Sequence, residues 1–353
     1  MRIVLVQVDD DPDRPSVRTA FRRPGGELAD ELAAAGHEVR ELSLFLGGER
    51  YSHGRSGLRA SGAEAASIGL ARALEAGEHD VLHVVGERAG RVVERVVGRR
   101  PWIWSYDEGD AESLDVGEVW CPRGASLVLV PTAAVGDAIA RGGVPRSRIR
   151  VLPERLSTSV VRGPLDGVRV RASSLLTVMD ARGGTGDVIR ALSRLPGTSL
   201  EILSAGDDDA ARSRLRLLAR QLHVEERVRW HPLGDRVDAM RAVVAADVLV
   251  HVPHERLDLG PVVAAMSMMT AVVVTDLPDA DGLVVNGCTG LRVPPAEPHQ
   301  LALRLSILSA DPQMRDEISL AARRFARDEL AASVTTASLL ETYDVVTGLR
   351  RSA

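Results

Sequence analysis

Hydrophobic positions along this chain fall in short continuous runs separated by amphipathic stretches. Residues 2–8, Arg-Ile-Val-Leu-Val-Gln-Val, form a near-continuous apolar run, the pattern of a strand buried on both faces. A loop rich in Asp, Pro and Arg follows from Asp9 to Pro24. Gly25-Gly26 then opens a helix through Ala33 with apolar residues at helical spacing, Gly36 stops it, and His37-Glu38-Val39 begins the next strand. The alternation repeats, with a helix over 64–77, strands at 80–85, 102–104 and 127–130, a helix over 135–141 and a strand at 149–152. A polar stretch with Gly and Pro from Ser157 to Arg171 reads as a hinge, after which the pattern starts afresh. Strands are expected at 175–178, 200–203, 227–230, 248–252 and 271–275, with helices at 187–195, 210–222 and 261–269. The tail from Pro298 to about Val346 is almost wholly helical.

Strands alternating with helices imply parallel sheets covered on both faces. The fold class is therefore α/β: two doubly wound parallel-sheet domains with a helical C-terminal tail. The first domain is placed at 1–160, the hinge at 161–172 and the second domain at 173–353, whose C-terminal helices are free to return to the first domain. Two domains of this size are also what 353 residues suggest.

Composition narrows the function. Aromatic residues make up 3 % of the chain, which argues against stacking platforms for nucleic acid. A net charge of −5 gives no broad basic surface for DNA or anionic lipid. The chain has no lysine, so all 44 basic residues are arginine. A Walker A loop, a Schiff-base lysine and a lysine general base are thereby excluded. Cys121 and Cys288 lie far apart and fit neither a zinc site nor a disulfide framework, as in a reduced cytoplasm. No run approaches the ~18 apolar residues of a membrane span, which leaves peripheral contact open. No Gly-x-Gly-x-x-Gly follows the first strand and no serine elbow occurs. Asp9-Asp10-Asp11 and Asp207-Asp208-Asp209 read as solvated turns, and His223, His231, His251 and His254 lack zinc spacing.

Several stretches, in order, resemble the GT-B glycosyltransferases, in particular the large retaining family related to sucrose synthases and mannosyltransferases. They are Gly25-Gly26 through Gly36-His37-Glu38-Val39, Asp80-Val81-Leu82-His83, Gly143-Val144-Pro145 with Ile149 to Pro153, Asp187 to Leu192, Arg227-Val228-Arg229, Ala246 to Val250, and Asn286 to Pro295. The resemblance implies two Rossmann-like domains facing a central cleft. The implied activity is transfer of a sugar, of hexosyl type, from a nucleotide-diphosphate donor to an acceptor with retention of configuration. It implies no cofactor and no bound metal beyond the nucleotide sugar as co-substrate, and no nucleic-acid partner. It leaves sugar, base, acceptor and oligomeric state open.

Such chemistry needs donors aimed at a departing diphosphate, from helix N-termini and cations. The resemblance assigns phosphate and donor contacts to Gly25, Gly26, Gly183, Asp258, Leu259, Gly260 and Pro261, with backbone near Leu233 meeting the base. Arg182, before Gly183, is the candidate diphosphate cation, and Glu255 the candidate sugar-binding carboxylate. His83, with Glu87 and Arg88 at the following strand end, are acceptor-side candidates; the alternative for His83 is a hydrogen-bonded core histidine. Three positions depart from the family pattern. Thr177 or Val178 stands for its arginine, Val85 for its histidine, and Ala264 for the glutamate that grips the ribose, a loss Asp258 is placed to offset. These departures favour an alternative: a catalytically degenerate relative that acts as a binding or assembly partner. A nucleotide-sugar epimerase of similar fold matches the pattern less well.

Overall fold

The computed structural model describes residues 1–8, 25–45, 57–59, 63–98, 100–106, 120–153, 174–180, 183–204, 209–233 and 236–348. The chain divides into two compact units, one holding the N-terminal sheet together with the segment from Ser333 onward, the other holding the second sheet up to Ala332.

The first unit carries seven strands, β1 (Arg2–Val8), β2 (Glu38–Phe45), β3 (Gly57–Arg59), β4 (Val81–Val85), β5 (Ile103–Ser105), β6 (Leu127–Val130) and β7 (Ile149–Val151). They form one sheet in the order β3-β2-β1-β4-β5-β6-β7, with every pairing parallel. Helices α1 (Gly25–Ala34), α2 (Ala63–Glu75), α3 (Glu87–Val96) and α4 (Ala133–Arg141) make the crossovers. Alternate residues of β1 feed two different cores. Val4, Val6 and Val8 join Leu82, Trp102 and Trp104 on one face, and Ile3 and Leu5 join Leu28, Leu32 and Ile103 on the other. That two-sided burial is why the strand reads as continuously apolar.

The second unit repeats the design with β8 (Ser174–Val178), β9 (Ser199–Ser204), β10 (Val228–Pro232), β11 (Val248–His251), β12 (Ala271–Thr275) and β13 (Leu291–Val293), all parallel in the order β10-β9-β8-β11-β12-β13. Helices α5 (Gly184–Leu192), α6 (Asp209–Gln221), α7 (Arg236–Ala245), α8 (Leu259–Ser267), α9 (Pro298–Ala310) and α10 (Pro312–Glu329) cover it. The sheet faces are again separate cores, one around Leu176, Leu249 and α8, the other around Val250, Val273 and α5.

The last helix, α11 (Ala332–Thr347), belongs from Ser333 with the first unit. Its Leu339 and Tyr343 are fully buried in the core that contains Ile3, Leu5 and Ile103. Thr336 donates a hydrogen bond to Glu31 on α1 at 2.7 Å. The helical tail thus supplies part of the first unit's core.

Four elements differ from the sequence reading. The short edge strands β3 and β13, the helix α3 beginning at Glu87 and the helix α7 are present without having been expected. In α3, Ala89, Val92, Val93 and Val97 are buried while Arg88, Arg91 and Arg95 face solvent, an amphipathic helix whose charged stripe masks its apolar one.

Candidate functional site

In a doubly wound sheet, ligands bind beyond the carboxyl ends of the strands where the order reverses. In the second unit that point lies between β8 and β11. The connection leaving β8 runs through Met179 and Asp180 to Gly183; residues 181 and 182, and with them Arg182, lie outside the described residues. The turn is closed by its own polar groups. Asp180 donates its N–H to the Thr185 hydroxyl at 2.7 Å, and its carboxylate accepts the Gly184 N–H at 3.0 Å. Gly183 has φ 139°, a conformation that glycine adopts without steric cost. A side chain at Gly184 would strike the Val252 carbonyl oxygen, so glycine is required for the two connections to touch.

The connection leaving β11 carries Pro253, whose carbonyl accepts the buried Thr275 hydroxyl at 2.7 Å, and then His254. The His254 Nε2 lies 2.7 Å from the Asp187 carboxylate on α5, whose other oxygen takes Arg190 at 3.1 Å. Asp187 is only 7 % exposed. A carboxylate can only accept, so Nε2 carries the proton and Nδ1 is the nitrogen turned elsewhere. Gly183 lies against the Cε1 edge of the ring: a Cβ there would collide with Cε1 and with both ring nitrogens. Ring and turn are thus fitted to each other, and the imidazole remains partly open to solvent.

Helix α8 follows. Asp258 is its N-cap, accepting the Gly260 N–H at 3.0 Å. Leu259, Gly260 and Pro261 form its first turn and are buried, as is the whole helix. The helix begins at Leu259, so Pro261 stands in its first turn and not at its start. Glu255 is exposed on the loop before it. The Leu257 N–H donates to the Asp279 carboxylate at 3.2 Å, and Leu233 donates its N–H to the Ser204 carbonyl at 2.8 Å. Ala264 is buried within α8. At the end of β11, His251 is buried, and that burial pushes its pKa below the ordinary value, against the opposing pull of Asp258 and Asp180. Its Nε2 is buried without a hydrogen-bond partner. The structure therefore brings Gly183, Asp258, Leu259, Gly260 and Pro261 to adjoining connections, with Glu255 on the same loop. It adds Asp180, Asp187, His251 and His254, which sequence spacing did not single out as a group.

The first unit's corresponding edge is different. His83 on β4 is 1 % exposed, with Nδ1 2.7 Å from the Tyr343 hydroxyl and Nε2 2.6 Å from Ser105 Oγ. Both ring nitrogens are thus engaged, as a core histidine requires. Gly86, at φ 87°, caps α3, and its carbonyl accepts the buried Trp104 indole N–H at 2.8 Å. Glu87 is paired with Arg91 at 2.6 Å, and Arg88 is exposed. Gly25 and Gly26 are the first residues of α1.

Residues 179–325 match the family described as Glycosyl transferases group 1. That span contains both connections at the switch point. No curated protein matches the chain. Among solved structures, the chain is similar to HepE of Anabaena in complex with UDP and glucose, at 17 % identity and a TM-score of 0.77, over 97 % of this chain and 99 % of that one. It is similar to a sucrose-phosphate synthase from Thermosynechococcus elongatus at 17 % identity and 0.74, over 99 % of each chain. A glycosyltransferase from Rickettsia africae matches at 15 % identity and 0.74, over 99 % and 100 %. The chain thus has the two-domain GT-B glycosyltransferase fold, and its residues 179–325 match the glycosyl transferases group 1 family.

Proposed function

We propose that this protein transfers a hexosyl group from a nucleotide-diphosphate donor to an acceptor, with retention of configuration. The observation that carries the reading is the family match over 179–325, which falls on the switch-point connections of the second unit. The donor's diphosphate would lie along the Gly183 turn and the Gly260 end of α8, with Glu255 toward the sugar and Arg182 supplying charge. In the transfer, the bond from the sugar's anomeric carbon to the phosphate oxygen breaks and its electron pair stays with the diphosphate. The acceptor oxygen bonds to that carbon on the same face, and its proton passes to the diphosphate. The acceptor would be held by the first unit, near the start of α3.

One observation favours the second reading, a non-catalytic binding or assembly partner. The Gly260 N–H is already taken by Asp258, so a carboxylate stands where a diphosphate would need a donor. The same experiment separates the two. Titration with UDP, the nucleotide present in the HepE structure, and with GDP and ADP, is expected to show binding of one of them, and that nucleotide's sugars should be slowly hydrolysed. Absence of binding at millimolar concentration would overturn the transferase reading. Binding without turnover of any sugar would support the partner reading.

A further inference from the structure

We infer that His254, held by Asp187, is a pH-dependent contact for the donor's diphosphate. The inference rests on the reading above, that this edge takes a nucleotide diphosphate. Three observations lead to it. First, the ring is fixed by a hydrogen bond of 2.7 Å to a carboxylate that is itself buried and braced by Arg190. A buried carboxylate spent on orienting a partly open imidazole positions that ring closely. Second, the Cε1 edge of the ring, between its two nitrogens, lies against Gly183, where any Cβ would collide with it. Third, Gly183 immediately precedes the first turn of α5, and His254 lies on the connection that leads to the first turn of α8. The imidazole therefore stands against the start of α5, on the connection that leads to α8.

The charge balance of this edge gives the contact its purpose. Both helix starts are capped by carboxylates, Asp180 on the Gly184 N–H and Asp258 on the Gly260 N–H. Thr177 and Val178, one of which stands where the family resemblance places an arginine, are both buried, the Thr177 hydroxyl 3.4 Å from the Val178 carbonyl. Among the described residues, the titratable and charged groups on the surrounding elements are Asp187 and Arg190 on α5, Asp180 in the β8 turn, and His251, Glu255, Arg256 and Asp258 along the connection that carries the ring. Arg190 is already committed to Asp187. With Nε2–H given to Asp187, Nδ1 bears a hydrogen only when the ring is protonated, and then it can donate to a phosphate oxygen. Neutral, it presents a lone pair, which repels the same oxygen. The contact is a hydrogen bond to the leaving group and involves no covalent step.

The test compares the intact protein with His254→Gln, which keeps an N–H for Asp187 but cannot be protonated. UDP, GDP and ADP are titrated by calorimetry at pH 5.5, 7.0 and 8.5. The nucleotide's own ionisation is common to both proteins, so the ratio of their affinities is the readout. The unaltered protein is expected to bind about tenfold more tightly than His254→Gln at pH 5.5, the scale of one charge-assisted hydrogen bond, and the ratio should fall toward one at pH 8.5. Asp187→Asn, in which the ring loses its fixed orientation, should lose the same pH-dependent part. A ratio that is constant with pH overturns the inference and leaves the transferase reading standing. Failure of every nucleotide to bind the unaltered protein at all three pH values overturns both. Thermal unfolding of each variant shows whether it is folded; if His254→Gln is not, the same ratio is read on His254→Asn.

Discussion

Two histidines, one within a strand beside the switch point of its sheet and one on the connection leaving such a strand, have opposite fates. His83 lies on β4, the strand beside the switch point of the first sheet, and His254 follows β11, the strand beside the switch point of the second. His83 is sealed: Tyr343, on a helix from the far end of the chain, and Ser105 take both its nitrogens. His254 is held through Nε2 by Asp187 and stays partly open to solvent, with Gly183 packed against its ring. The lesson is that strand position brings a residue to the edge, but the neighbouring side chains decide whether it becomes core or site. In the first unit the polar group has been absorbed into packing. In the second, buried polar groups are spent on holding another polar group outward.

The largest effect expected from breaking this contrast is at Tyr343. Removing its ring in Tyr343→Ala empties a fully buried site and leaves the His83 Nδ1 without its partner. The cost should be about 3–5 kcal/mol from lost packing alone. Tyr343→Phe, which keeps the ring and removes only the hydroxyl, should cost about 1–3 kcal/mol, the range for an unsatisfied buried group. Urea denaturation measures both. If Tyr343→Phe were neutral, His83 would have an alternative partner and would not be locked into the core.

The frame was legible in the sequence because its strands are buried on two faces, so that β6 is wholly Val and Leu and β1, β8 and β12 are nearly continuous apolar runs. The helix α3 was not legible, since Glu87 and Arg88 read as polar strand-end residues and Gly90 interrupts its apolar stripe; in the structure a Cβ at Gly90 would collide with Trp120. The glycines of the switch-point turns were singled out through family order, whereas the capping role of Asp258 was not, because the helix was expected to open at Pro261 and in fact opens at Leu259. The Asp187–His254 pair was invisible for a different reason. The two residues are 67 positions apart, and no local spacing joins a helix residue after β8 to a loop residue after β11. Weighing the histidines only as zinc ligands discarded the ring whose partner is a carboxylate.

A second, smaller effect concerns His251, which is buried beside the same edge with Nε2 unpartnered. Burial depresses its pKa in the folded protein, whereas in the unfolded chain the ring titrates near 6.5. As pH falls below that value the unfolded state binds a proton that the folded state refuses. Stability is therefore full above about pH 6.5 and declines on acidification, by at most about 1.4 kcal/mol per pH unit for this one group. His251→Leu, which removes the titrating ring and the orphaned nitrogen together, should flatten that decline between pH 7 and pH 5 in urea denaturation. A decline of equal slope in both proteins would assign the acid sensitivity elsewhere and deprive His251 of its buried, neutral role.

The smallest change in stability, and the sharpest test of what the second unit's edge is for, comes from Asp258. Replacing an N-cap aspartate by glycine costs only a few tenths of a kcal/mol, so Asp258→Gly should unfold almost as the unaltered protein does. Its effect on nucleotide affinity discriminates three roles by sign. If the carboxylate competes with a diphosphate for the Gly260 N–H, removing it frees the donor and deletes a like charge. UDP affinity should then rise, by roughly fivefold for the ~1 kcal/mol that a charge at a helix start is worth. If Asp258 grips the ribose in place of the glutamate lost at Ala264, affinity should fall instead, because a charged hydrogen bond disappears. An unchanged affinity in a protein that binds UDP would place the diphosphate away from α8 altogether. The first outcome is the one expected, because a carboxylate that already accepts from the helix's own backbone is aimed at the N-terminus, and an anion docking there must displace it.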